Sequence, residues 1–387
     1  MRNYQTHVFT STYTADVSGV CSAMYELGGM SVIHDPSGCN STYSTHDEPR
    51  WYEGNSLMFV SGLDEMTALL GDDRVIIEDI VAAAKDLNPR FITLCGGAMP
   101  HIIAFDYPGV ARLIEKKCGI PVIPVATDGL KSYVSGVGKA MTAWIKRFAD
   151  PEERSADLSV NLLGVTPLDF SVNGNAEAMR KVFEEAGIPV NCCGIMGEDF
   201  DSLSHLYRAS VNVVVSSAGR RPARYMERMA GIPRVEGIPM GKEMAEKAVN
   251  AVKKAHDTRK SATLWQDENG DKWEISPGQI LVVGEEVFSK TLASAINMLP
   301  EEKRSGLSAT ALWPDVDEGF PEPELITALN RAGVVVGDPL FKVVLKGRKD
   351  IRFVSLPHEA YSGRIFRDQI PVFAAAEFNL ESFIRNV

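Results

Sequence analysis

Residues 31–53 read SVIHDPSGCNSTYSTHDEPRWYE. A short apolar run, Ser31 to His34, stops at Asp35-Pro36 and passes into Ser37-Gly38-Cys39. Apolar runs of about four to eight residues closed by turn formers read as buried strands. Past Cys39 the chain turns to hydroxyls, acids and aromatics, with hardly an aliphatic side chain. This is the exit of a strand. In doubly wound sheets, strand exits are where ligands collect.

The same pattern recurs on both sides of this stretch. SLMFVSG (56–62), RFITLCGG (90–97) and IPVIPVATDG (120–129) read as strands, as do VNLLGVTPLDF (160–170), IPVNCCGIMG (188–197) and VNVVVSS (211–217). GQILVVG (278–284), LSATALWPD (307–315), AGVVVGDP (332–339) and IRFVSLPHEAYSG (351–363) follow. Between them, DRVIIEDIVAAAKDLN (73–88) spaces its apolar residues for a helix, and NAEAMRKVFEEAG (175–187) is a helix that stops on glycine. Such alternation predicts parallel sheets covered on both faces. FADPEERSADLS (148–159) is charged and apolar-poor and reads as a linker; WQDENGDKWE (265–274) reads as a polar turn between two small strands. The expectation is an α/β chain of three doubly wound, Rossmann-like domains, at 1–150, 155–262 and 263–387.

Composition narrows the function. The chain has 387 residues, too many for one small core. Its net charge of −11 argues against binding nucleic acid or an anionic membrane, which need clustered Lys and Arg. No apolar run reaches the roughly 18 residues of a membrane span. The N-terminal stretch has no apolar signal-peptide core, so a cytoplasmic location is expected.

Six cysteines, at 21, 39, 95, 118, 192 and 193, are too few for a disulfide framework in this length. Gly38 permits a tight turn beside Cys39, and Cys21 also lies among glycines. Each reads either as a metal ligand or as a part-buried free thiol. Cys95 ends the strand FITLC and reads as core; Cys118 ends a helix; Cys192 and Cys193 point to opposite faces of a strand. Gly284-Glu285-Glu286 opens a helix without the GxGxxG pattern, and no GxxxxGKS/T occurs, which argues against NAD binding and ATP hydrolysis by this chain. His358 follows a strand and either faces a cofactor or satisfies a loop. Arg220 and Arg221 either hold carboxylates of an acidic substrate or meet solvent.

Several segments resemble one family. VIHDPSGC (32–39), SGLDEMTALLGDDRVIIEDI (61–80), LLGVTPLDF (162–170), RYMERMAGIPRVEGIPMG (224–241), VVGDPLF (335–341) and LPHEAYSGR (356–364) are similar, in order, to segments of nitrogenase component 1-like oxidoreductases. That superfamily holds the catalytic components of nitrogenase and of dark-operative protochlorophyllide reductase. The resemblance implies pairing with a second like subunit, identical or homologous. It implies a 4Fe–4S cluster near the subunit interface, fed by a separate ATP-hydrolysing iron-protein reductase. Cys21 and Cys39 match the first two cluster cysteines. The third normally precedes a proline; here Met99 precedes Pro100, and Cys95 lies four positions earlier. Two cysteines from each of two subunits are therefore favoured over a set that includes Cys95.

The family's ligand cysteine for the large nitrogenase cofactor falls at Ser216-Ser217, which argues against nitrogen fixation and leaves a second metal cofactor open. His358 and Glu359 are the candidates for proton delivery, and Arg220 or Arg221 for positioning an anionic substrate. Two other readings stand beside this one: a cofactor-assembly scaffold of the same superfamily, and a non-redox protein that binds a tetrapyrrole or metal chelate.

Overall fold

The computed structural model describes residues 7–385 apart from 41–46, 53, 55, 267–277, 305 and 316–319; at Cys39 and Arg385 it describes the backbone alone. The Cys39 side chain, His46 and most of the expected turn at 265–274 therefore lie outside the described residues. The chain is α/β, with three parallel sheets and two compact units.

The first unit is Thr14–Asp150 with Ile195–Leu206. Its sheet holds β1 (Met30–His34), β2 (Leu57–Val60), β3 (Ile92–Gly96) and β4 (Val122–Pro124), all parallel, in the order β2-β1-β3-β4. Every residue of β1 and β3 is buried, so these strands carry unbroken apolar runs rather than alternation. One face packs Met30, Val32, Ile92, Leu94 and Val122 against the helices Arg74–Leu87 and Tyr107–Cys118. Burying a side chain such as Ile80 there contributes about 1.5–3 kcal/mol. Side chains alternate along a strand, so Ile33 and Cys95 point to the other face.

The helix Asp16–Met24 packs against Tyr133–Phe148, and all nine of its residues are buried. Two glycines set this close approach. A Cβ on Gly19 would lie 2.2 Å from Tyr133 O, and one on Gly136 would lie 1.9 Å from Asp16 O. The segment Ile195–Leu206 joins this unit through Phe200, whose ring meets Trp144, Phe148 and Phe91 at 5.2, 4.9 and 5.9 Å.

The second unit carries two sheets. One contains β5 (Val160–Leu163), β6 (Val190–Cys192), β7 (Val211–Val214), β8 (Arg234–Glu236) and β9 (Ala262–Thr263), in the order β6-β5-β7-β8-β9. A buried amide ladder crosses it: Asn191 Nδ2 donates to Asn161 Oδ1, and Asn161 Nδ2 to Asn212 Oδ1, each at 2.8 Å. The other contains β10 (Ile280–Val283), β11 (Ala309–Leu312), β12 (Val334–Gly337) and β13 (Arg352–Ser355), in the order β11-β10-β12-β13. All pairings are parallel.

In each sheet the first strand sits between the second and the third. That reversal makes a switch point at the carboxyl ends of β1 and β3, of β5 and β7, and of β10 and β12. Among the described residues, no helix is long and apolar enough to cross a membrane.

Candidate functional site

At the switch point of the first sheet, Cys95, next to last in β3, points toward the helix that carries Cys21. The two thiols adjoin, and the neighbouring Cys21 and full burial push the Cys95 thiol well up from its ordinary value. Asp35, directly after β1, lies beside them. It is 3% exposed, and burial raises its carboxyl to about 6. Asn40 Nδ2 donates to Asp35 Oδ2, while Asp35 Oδ1 is buried without a hydrogen-bond partner among the described residues.

Gly96 and Gly97 make room for this group. A Cβ on Gly97 would fall 2.1 Å from Asp35 Oδ2, and one on Gly96 would fall 2.2 Å from the Tyr107 hydroxyl. That hydroxyl is also buried without a partner among the described residues. Burial, with the nearby Cys95 and Asp35, raises it.

Two adjoining thiols, an unpartnered carboxylate oxygen and a glycine-lined approach are donors and space that fit a thiophilic metal group; thiols become ligands by losing their protons. Among the described residues, no three His, Cys, Asp or Glu side chains close on one point.

Arg50 positions this corner. Its guanidinium donates to Glu48 at 2.6 Å, Glu26 at 2.8 Å, Ile195 O at 2.9 Å and Ser22 O at 2.7 Å, one residue from Cys21. With Arg50 4% exposed, its role is internal. Tyr52, two residues on, is 86% exposed.

The second unit gathers polar groups at its two switch points. After β5, Thr166 and Ser216 hydroxyls contact Asp169 Oδ2 at 2.7 and 3.0 Å. After β7, Ser217 N–H donates to Glu285 Oε1 at 2.8 Å; Glu285 also caps the helix Glu286–Met298 through Phe288 N–H at 3.0 Å. Burial, then the charge of Asp169, raises the Glu285 carboxyl.

His358 follows β13, with Nε2 3.8 Å from Asp169 Oδ1 and its N–H on Asp338 Oδ2 at 2.9 Å. The Tyr13 ring stands edge-on to it at 5.1 Å. A cavity of about 20 Å³ lies among Tyr13, Asp169, Asp338, His358 and Tyr361, room for about one water molecule.

The other residues singled out from sequence lie elsewhere. Glu359 is buried against Arg367 Nη2 at 2.6 Å and Ser171 Oγ at 2.8 Å, and it does not line the cavity. Arg220 binds Glu236 at 2.8 Å and Glu286, so it is engaged within the protein; Arg221 is solvent-exposed. Cys192 and Cys193 are buried and contact the carbonyls of Gly194 and Ala176. Sequence reasoning missed Asp169, Asp338, Tyr13 and Tyr107. One signal was available: an acid follows a switch-point strand at Asp35, Asp169, Glu285 and Asp338.

Comparison with known proteins agrees with this architecture. Residues 18–274 match the family profile described as Nitrogenase component 1 type Oxidoreductase. A subunit of the light-independent protochlorophyllide reductase of Prosthecochloris aestuarii is 27% identical over 241 residues, covering 60% of this chain and 44% of that protein. The nitrogenase iron-molybdenum cofactor biosynthesis protein NifE of Methanococcus maripaludis is 24% identical over 234 residues, covering 57% and 47%. The chain thus spans about half the length of the curated relatives it matches. The solved structure titled Nitrogenase Cp1 at pH 6.5 superposes with a TM-score of 0.66 at 12% identity, covering 100% of this chain and 94% of that one, a likeness of fold. With the profile matching well over half of its length, the chain belongs to the nitrogenase component 1-type oxidoreductase family.

Proposed function

We propose that this chain is the catalytic-component subunit of a nitrogenase-like reductase that holds an iron–sulfur cluster at the carboxyl edge of its first sheet. Cys21 and Cys95 would bind the cluster, with Cys39 from the short helix Ser37–Asn40 and Asp35 beside them. The observation that carries this reading is the pair of buried, adjoining Cys21 and Cys95 thiols at the switch point. Cys95 is buried as the sequence implied, and its place beside Cys21 supports including it in the proposed ligand set.

When bound, the cluster supplies one-electron chemistry, and the protein sets its potential and surroundings. The chain's own contribution is to bury the thiols, hold Cys21 through Arg50, and keep the approach narrow at Gly96-Gly97. Donors from a second like subunit would complete the cluster, and an ATP-dependent iron-protein reductase would feed it. The relationship to protochlorophyllide reductase supports reduction of a substrate, whose identity is open.

A second reading, a scaffold for cofactor assembly, is favoured by the relationship to NifE. Anaerobic purification with iron and sulfide quantification and EPR tests both. A cluster that stays bound through turnover supports the reductase. A cluster released to an acceptor supports the scaffold. A colourless, iron-free protein overturns both and leaves the non-redox binding protein.

A further inference from the structure

The helix Arg220–Ala230 buries Pro222, Ala223, Met226 and Ala230 on the side that meets its sheet. Arg220 turns inward to Glu236 and Glu286. The other three arginines do the opposite. Arg221, Arg224 and Arg228 are solvent-exposed, and among the described residues none is paired with an acid. Their spacing is i, i+3 and i+7. It sets them within about 60° of one another around the helix axis, in a stripe about 10 Å long.

Self-repulsion runs along this stripe. Like charges three and four positions apart face each other on a helix and destabilise it. The helix's own acid does not relieve them, because Glu227 is taken up by Arg234 and by Ser261 Oγ, the latter at 2.6 Å. That last contact also brings the exposed Arg259 and Lys260, just before Ser261, toward the same helix. Of the acids in these two segments, Asp257 alone is left against five cations. Arg228 lies over the Tyr225 ring at 5.5 Å, which steadies its long side chain. A bound anion would turn this repulsion into attraction.

We propose that the exposed face of Arg220–Ala230 is a docking surface for an acidic helix of a partner protein. Each guanidinium presents a planar fork that fits a carboxylate with two hydrogen bonds, which a lysine ammonium does not. Asp or Glu at i, i+3 and i+7 of the partner helix would match the stripe in length and spacing. A protein suits this face better than nucleic acid. A duplex carries a charge about every 1.7 Å and would run past the ends of so short a stripe, onto a chain whose net charge is −11. The inference does not depend on the cluster, and an iron-free protein tests it equally.

The test measures fluorescence anisotropy on the intact chain. The probe is a labelled, alanine-rich helical peptide of about 20 residues with Glu at i, i+3 and i+7, and its control carries Gln at those positions. The Glu peptide should bind at low ionic strength and weaken as salt rises, and the Gln peptide should not bind. The double variant Arg224→Glu with Arg228→Glu should bind the Glu peptide about 10-fold more weakly. Should that variant fail to fold, Arg224→Gln and Arg228→Gln remove each charge without reversing it, and each should weaken binding about 3-fold. Equal binding of the two peptides, or wild-type affinity in the variants, overturns the proposal. A DNA duplex bound more tightly than the Glu peptide, and lost in the same variants, also overturns it by marking the face as a phosphate site.

Discussion

Cys21 and Cys95 bring two buried thiols side by side, one from a wholly buried helix and one from the next-to-last residue of β3. Thiolates in such a pair repel unless a cation binds both, so metal binding should release protons. Cys21→Ser and Cys95→Ser should each remove most of the iron from anaerobically prepared protein. Cys118→Ser should not, because Cys118 ends a helix in the same unit away from the switch point. Iron retained in Cys95→Ser would return Cys95 to the core.

Arg50 holds two acids and two backbone carbonyls while almost fully buried. Arg50→Ala removes the ion pairs to Glu48, which is 1% exposed, and to Glu26. The expected cost is about 3–5 kcal/mol in urea unfolding, with poorer cluster retention because Ser22 neighbours Cys21. A loss below about 1 kcal/mol would mean that the network is not what anchors this corner.

The strands were legible because β1, β3, β5, β7, β10 and β12 are buried on both faces, and their apolar runs end in Gly or in a residue just before Asp, Gly or Ser. The helix with Cys21 gave a weaker signal: all nine of its residues are buried, so no polar stripe marks its outer side. Cys95 is buried as its strand pattern implied, but that pattern tells which residues share a face and not which helix covers it, so its neighbour Cys21 was not legible. The approach of His358 to Asp169 depends on the docking of one sheet's switch point onto another's, which no local spacing records. Ile195–Leu206 was equally hidden, since its attachment rests on Phe200 entering an aromatic cluster distant in sequence.

Arg220 and Arg221 are neighbours in sequence and opposites in setting. Arg220→Ala breaks pairs to Glu236 and Glu286, both largely buried, and should cost about 3–5 kcal/mol. Arg221→Ala should stay within about 0.5 kcal/mol of wild type in the same unfolding assay. If Arg221 steers an acidic substrate, its loss raises KM and leaves kcat unchanged. Unchanged KM at low ionic strength would remove Arg221 from the substrate-binding set.

Glu322 pins the N-terminal segment to the third sheet's unit. Its carboxylate accepts from Val8 N at 2.8 Å, Phe9 N at 2.8 Å, and Thr10 N and Oγ1 at 2.7 and 2.9 Å. Burial alone would raise its carboxyl, but the N–H groups of Val8, Thr10 and Phe9 outweigh it and hold the value at about 2, below the ordinary 4.5. A depressed carboxyl binds fewer protons folded than unfolded, so its stabilisation is fully present above pH 4.5 and is lost as pH falls toward about 2. Glu322→Gln should remove that dependence. The stability gap between wild type and variant should be constant above pH 4.5 and narrow in acid, and limited proteolysis should cut earlier near Val8–Thr10 in the variant. A gap that widens with acid would show that the carboxylate opposes, rather than secures, the docking of this segment.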